Sequence, residues 1–206
     1  MDPNADARYK VTFNTVWSSA DFPVNFPSAA HFSSLIGATH NDQVKFWETG
    51  QLASDGIESM AETGSTSGLS SEVALAKTDG KAEFVLRGSG VSAVDTIFFE
   101  FDINESFPLV TLVSMVAPSP DWFVGVRDLS LIDDMTGDWK QSVELSLKVY
   151  DAGTDSGISF TSANADTPLP GVILLLTTDN LDSDFVNGVN ASNQHLATIS
   201  FTKISN

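Results

Sequence analysis

The sequence predicts an all-β fold, a β-sandwich of about eight or nine strands with a few short loop helices. Three observations carry that prediction. Several stretches alternate apolar and polar residues with period two, two stretches are apolar throughout and partly β-branched, and Gly, Asp, Asn and Pro separate the stretches at turn-like spacing. In "VELSLKVY", Val143, Leu145, Leu147 and Val149 fall on one face and Glu144, Ser146 and Lys148 on the other, as in a strand with one face buried.

Taken in order, the first strand is "RYKVTFNTVW", which sets Tyr9, Val11, Phe13 and Trp17 against Lys10, Thr12 and Asn14. Helical spacing is confined to the part of the first half that follows. "AAHFSSLIGATH" and "SDGIESMAETG" place apolar residues three and four apart, with Gly64 as the expected C-cap of the second, and "SSEVALAK" predicts a further short turn. "AEFVLRG" opens the remaining strands. "IFFEFDI" turns Ile97, Phe99, Phe101 and Ile103 inward, and "LVTLVSMVA" and "VILLLTT" read as central strands covered on both faces. "WFVGVRDLSLI", "GISFTS" and "LATISFTKI" complete the set.

At 206 residues the chain suits one sizeable core, so residues 1–206 are read as one domain, with 1–7 expected as a disordered or added start ahead of the first strand. That start lacks the basic end and apolar stretch of a secretory signal, whose prior removal is the expectation. Against 10 Lys+Arg stand 27 Asp+Glu, a formal charge of −17 that repels nucleic acid and anionic lipid and favours cations or basic partners. With no cysteine, thiol catalysis, disulfides and thiolate zinc sites are excluded. No apolar run reaches the length of a membrane-spanning helix.

Signatures of enzymes are missing: there is no G-x-S-x-G elbow, no phosphate-cradling glycine loop and no H-E-x-x-H helix. His31, His40 and His195 share no ligand spacing. His40 in "GATHND" and a carboxylate of raised pKa are the candidate bases, and His40 is weighed against a hydrogen-bonded structural histidine. Trp17, Trp47, Trp122 and Trp139 offer either sugar stacking or core packing, and packing is the expectation.

Carboxylates at strand ends say more. "YDAGTDSG" puts Asp151 after a well-patterned strand and Asp155 four residues on, in a turn that Gly153 and Gly157 allow to be tight. Calcium takes six to eight oxygens, and such a loop supplies carboxylates and carbonyls together. An EF-hand loop is excluded, because the twelfth position from Asp151 is Ser162 rather than Glu. Asp102 closes "FFEFDI" and Asp121 opens "WFVGV", where Pro118 and Pro120 would hold it rigidly at the rim. An antiparallel sandwich can gather Asp102, Asp121 and Asp151 at one end, where they would repel one another unless a divalent cation neutralised them. A second group, Asp179, Asp182 and Asp184 in "TTDNLDSDF", reads as a solvated loop.

"PSPDWFVGV" followed by "YDAGTDSG", with "YKVTFNTVWS", "FPSAAHFSSLIGATH", Trp47 and "ASDGIESMAETG" in the same order, resembles the spondin N-terminal (F-spondin/mindin) domain family from about Tyr9 to beyond Ile173. The resemblance implies a C2-like antiparallel sandwich, secreted, with a calcium ion held at one end by acids from separate strands. Carried over, those acids are Asp102, Asp121 and Asp151, with Asp155 inside the matched motif. It also implies a role in extracellular matrix adhesion. The absence of the family's cysteines and thrombospondin-type repeats from this sequence is what a stand-alone bacterial relative would show. The functional expectation is a non-enzymatic, calcium-binding, secreted or surface module that recognises an extracellular protein or glycan as a monomer or weak oligomer. The alternatives are a calcium-dependent membrane- or glycan-binding module and a hydrolase using His40.

Overall fold

The computed structural model describes residues 5–176, 184 and 195–205. Among them the chain forms β1 (Ala7–Val16), β2 (His31–Phe32), β3 (Ile36–His40), α1 (Asp55–Thr63), α2 (Ser67–Thr78), β4 (Ala82–Arg87), β5 (Val91–Ser92), β6 (Val94–Ile103), β7 (Leu109–Ala117), β8 (Trp122–Ser130), β9 (Ser142–Leu147), β10 (Val149–Asp151), β11 (Leu174–Leu176) and β12 (Ala197–Ser205). The strands make two antiparallel sheets, as expected of a sandwich. One runs β6-β1-β12-β9; the other runs β11-β10-β8-β7, and the far edge of β7 is shared by β3, which leads to β4, and β2, which leads to β5.

Two cores explain the sequence patterns. Between the sheets, Tyr9, Val11 and Phe13 of β1 and Ile199 and Phe201 of β12 meet Val110, Leu112 and Val116 of β7 and Trp122, Val124 and Val126 of β8. On the other face of the larger sheet, Val113, Met115 and Ala117 of β7 and Phe123 of β8 meet Ile57, Met60, Leu69 and Val73 of the two helices, with Trp47. β7 is therefore covered on both faces, which is why "LVTLVSMVA" carries no alternation. β1 is covered on one face and alternates.

α1 starts at Ser54, whose hydroxyl accepts from Ile57 N–H, and ends at Gly64, whose φ of 69° is the left-handed turn expected of a C-cap. Its first turn has a second cap from outside. Glu72 of α2 accepts from Gly56 N–H at 2.7 Å and from Ser54 Oγ at 2.8 Å, placing a carboxylate at the positive end of α1.

Four expectations are corrected. "AAHFSSLIGATH" forms β2 and β3 rather than a helix, because Ile36–His40 pairs with both β4 and β7 and the sheet decides over local spacing. "GISFTS" forms no strand; Phe160 instead packs on Trp17 and Trp122, each at 5.3 Å between ring centres. Among the described residues "VILLLTT" contributes the three-residue strand β11 at the edge of its sheet, with Leu174 57% and Leu175 42% exposed, rather than a central strand. "VELSLKVY" divides at Lys148 between the two sheets, with β9 pairing β12 and β10 pairing β8. At the N-terminus the first strand already includes Ala7, fully buried, and Asp6 N–H donates to Ile103 O.

Candidate rim site

The loop between β7 and β8 begins with a cis Ala117–Pro118 peptide and ends at Asp121, just before Trp122 enters the sheet. Asp151 is the last residue of β10 and lies directly across from Trp122. The pairing brings the two acids to one end of the larger sheet, and Ala152 N–H donates to Asp121 O at 3.1 Å. The chain then turns sharply. Asp151 Oδ1 accepts from Gly153 N–H at 2.8 Å, and Gly153 has φ 76° with its Cα close against Gly171, where an added Cβ would come within 2.8 Å of backbone. Only glycine suits that position.

Beyond the turn, Thr154 N–H and Asp155 N–H both point at Asp121 Oδ2, at 2.8 and 3.2 Å, and Thr154 Oγ1 lies 3.4 Å from the same oxygen. Asp155 is fixed in turn by Gly157 N–H on one oxygen at 2.6 Å and Ala165 N–H on the other at 2.8 Å. Asp121 is completely buried, and its second oxygen, Oδ1, has no hydrogen-bond partner. An ionised carboxylate in that state is costly. Burial pushes the Asp121 carboxyl up to about 6, with the charges of Asp151 and Asp155 adding to the rise against the two backbone N–H groups. The Asp151 carboxyl is also raised by burial and by Asp155, opposed by hydrogen bonds from Gly153 and Trp122. Glu62, near the end of α1, is raised by burial first and then by Glu58, Asp166 and Asp155, while a hydrogen bond with Thr154 opposes the rise.

Three of the four acids expected at the rim, Asp121, Asp151 and Asp155, are thus brought together, although among the described residues no three of them already converge as a ready-made metal cage. Asp102 is placed elsewhere. It is the next-to-last residue of β6, pairs with Arg8 Nη1 at 2.8 Å, and stands beside the turn into the first residue of β7. Asp121 follows the last residue of that nine-residue strand, so the length of β7, roughly 30 Å, separates the two positions along the sandwich. Sequence reading missed Thr154, whose amide and hydroxyl hold Asp121, and Glu62, whose helix covers the loop.

The chain matches the Spondin_N family model over residues 7–190. It belongs to the Spondin_N family. It is similar to Spondin-2 of Homo sapiens, 37% identical over 172 residues, and Spondin-2 of Rattus norvegicus, 36% over 171, each alignment covering 78% of this chain and 50% of the relative. With Spondin-1 of Mus musculus it is 31% identical over 208 residues, covering 97% of this chain and 25% of the relative. The Spondin_N chain thus spans about half the length of these Spondin-2 relatives and a quarter of Spondin-1.

His40 has a structural place in the Spondin_N fold. It is fully buried, its Nδ1 lies 2.8 Å from Asn41 O and its Nε2 2.8 Å from Thr111 Oγ1. Because Asn41 O only accepts, Nδ1 carries the proton, and Thr111, which accepts from Asp128 N–H, donates its hydroxyl to Nε2. Burial lowers the His40 pKa, which keeps the ring neutral. Trp17, Trp47 and Trp122 are buried in the two cores and Trp139 packs against the first of them, matching the packing expectation. Asp179 and Asp182 lie outside the described residues; Asp184 accepts from Asn25 Nδ2 and Phe160 N–H, so it is tied into the loops.

Proposed function

We propose that this chain is a non-enzymatic extracellular recognition or adhesion module, secreted or surface-attached, whose rim holds a calcium ion through Asp121, Asp151 and Asp155. Membership of the Spondin_N family supports the extracellular adhesion reading. The observation that carries the calcium reading is the Asp121 carboxylate, wholly buried with one oxygen held by two backbone N–H groups and the other unpartnered, in the field of two further carboxylates. A hard dication takes oxygen ligands of this type and offsets the repulsion among them. Carbonyls of the tight 151–155 turn and water would complete six to eight ligands. The ion would tie the start of β8 to the end of β10. The non-enzymatic reading is supported by His40, the histidine weighed as a base, which is buried with both ring nitrogens engaged. Partner recognition is assigned to an extracellular protein or glycan.

Isothermal titration with calcium tests the site. One binding event is expected in the wild type, none in Asp121→Asn, and an unchanged event in Asp102→Asn. Full binding in Asp121→Asn refutes the assignment.

A further inference from the structure

Beside the rim lies an open cavity of about 500 Å³ between the end of α1, β2 and the last residues of β7. The volume is in the range of small-ligand and side-chain pockets. Its lining includes the apolar Met115 and Pro118, the polar Glu62 and Thr63, and His31. His31 Nδ1 lies 2.7 Å from Ala29 O, a carbonyl that can only accept, so Nδ1 carries a proton and the ring is anchored by it. The cavity therefore combines an aliphatic surface with a carboxylate.

The acids around Glu62 add further negative charge. The charges of Glu58, Asp155 and Asp166 act on Glu62, while all ten Lys and Arg of the sequence lie among the described residues and their ion pairs within 4.0 Å go to Glu100, Asp102, Glu48, Glu83, Asp79 and Asp128. None goes to Glu62 or to the acids around it. A concave site lined by one sign of charge concentrates the opposite one. An occupant that matches this lining has an apolar stem and a head that only donates hydrogen bonds, which describes an arginine or lysine side chain.

We propose that this cavity receives the guanidinium or ammonium of a basic side chain on a protein partner, with Glu62 as its counter-ion and Met115 and Pro118 against its stem. Glu62 also meets Thr154 of the rim loop, so the cavity adjoins the calcium rim, and a titration without calcium keeps the two readings distinguishable. It extends the adhesion reading by naming the chemistry of the partner.

The test is a titration of the ¹⁵N-labelled chain, in chelator so that the calcium reading is not involved, with Nα-acetyl-arginine N-methylamide and with the neutral citrulline isostere. Saturable amide shifts are expected at Ser33, Glu62, Thr63 and Met115 with the arginine probe, and at least about tenfold weaker binding of citrulline, since the charged head makes a charge-assisted bond. Glu62→Gln should weaken the arginine probe by about tenfold or more and leave the citrulline probe unchanged. If Glu62→Gln does not fold, Thr63→Arg decides: a tethered guanidinium at this exposed position should compete with the probe. Spermidine serves as a third probe, and Glu62-dependent binding of spermidine with none of the arginine amide overturns the side-chain source in favour of a free polyamine. Equal binding of arginine and citrulline, shifts spread over the acidic surface, or no saturable shift overturns the proposal.

Discussion

Replacing Asp121 by Asn should stabilise the calcium-free protein and abolish its response to calcium. In the folded chain the Asp121 carboxyl is pushed from 3.8 to about 6 because burial and the neighbouring charges of Asp151 and Asp155 oppose ionisation. A group whose folded pKa is raised favours the fold fully below its unfolded value and loses that contribution as pH rises through the folded value. The calcium-free wild type should accordingly lose about 3 kcal/mol between pH 4 and pH 6 and stay at the lower level above that. Asn carries no charge, its carbonyl can go on accepting from Thr154 and Asp155 N–H, and its amide group places a donor where Oδ1 is unpartnered. Thermal melts in chelator at pH 7.5 should therefore put Asp121→Asn above wild type by up to about 3 kcal/mol, roughly 6–12 °C for a chain of this length, and the difference should vanish near pH 4. Calcium at a hundred times its dissociation constant adds about 2.7 kcal/mol to the wild type alone, which closes the gap. A mutant that melts below wild type in chelator at pH 7.5 would show that the carboxylate is not strained. An equal calcium shift in both would show that the ion sits elsewhere.

Three further outcomes follow from other parts of the fold. Glu72→Ala removes the acceptor for Gly56 N–H and Ser54 Oγ at the start of α1 and should cost about 1–2 kcal/mol in chemical denaturation, with Glu72→Gln recovering part of it. Gly64→Ala meets both a φ of 69° and a Cβ approach of 2.9 Å to Ser33 Cβ, and should destabilise by about 1–3 kcal/mol in the same assay. His40, with its pKa lowered by burial, works in the opposite sense to Asp121: its contribution is full above the unfolded value of 6.5 and is lost as pH falls below it, so His40→Gln should flatten that part of the stability profile measured by denaturant titration.

The strands that could be read from the sequence were those where a single face decides. β1 and β6 alternate because one side meets the inter-sheet core, and β7 does not because helices cover its other side. What local pattern could not supply was partner choice. Ile36–His40 has helix-like spacing but lies between β4 and β7, and "VELSLKVY" keeps an unbroken alternation while changing sheets at Lys148. Leu174 and Leu175 are apolar yet exposed because β11 pairs only with β10. Chain order alone sets Asp102 apart from the other acids. A short connection leads from the end of β6 to the beginning of β7, and another from the end of β7 to the beginning of β8, so the end of β6 and the beginning of β8 fall at opposite ends of β7. Antiparallel pairing of β8 with β10 places the end of β10 beside the beginning of β8, so Asp151 lies by Asp121.

Strand order brings Asp121 and Asp151 together, but it does not account for Asp121 having one satisfied and one unsatisfied oxygen. That asymmetry comes from the turn after β10. Gly153 and its close approach to Gly171 fold the chain back so that two consecutive N–H groups, of Thr154 and Asp155, converge on Oδ2 alone. Trp122, fully buried and packed on Phe160, holds the other side of the same loop. The carboxylate is thus oriented by backbone before any ligand arrives, and the unpartnered Oδ1 carries an energetic penalty that a bound cation would relieve. A substitution that loosens the turn without touching an acid, such as Gly153→Ala, should on this reasoning weaken calcium binding as well as lower stability, because the acceptor would no longer be presented at a fixed position. Titration of that variant separates the two ideas at the rim: if the acids alone define the site, affinity survives the loss of stability; if the turn sets the geometry, affinity falls with it.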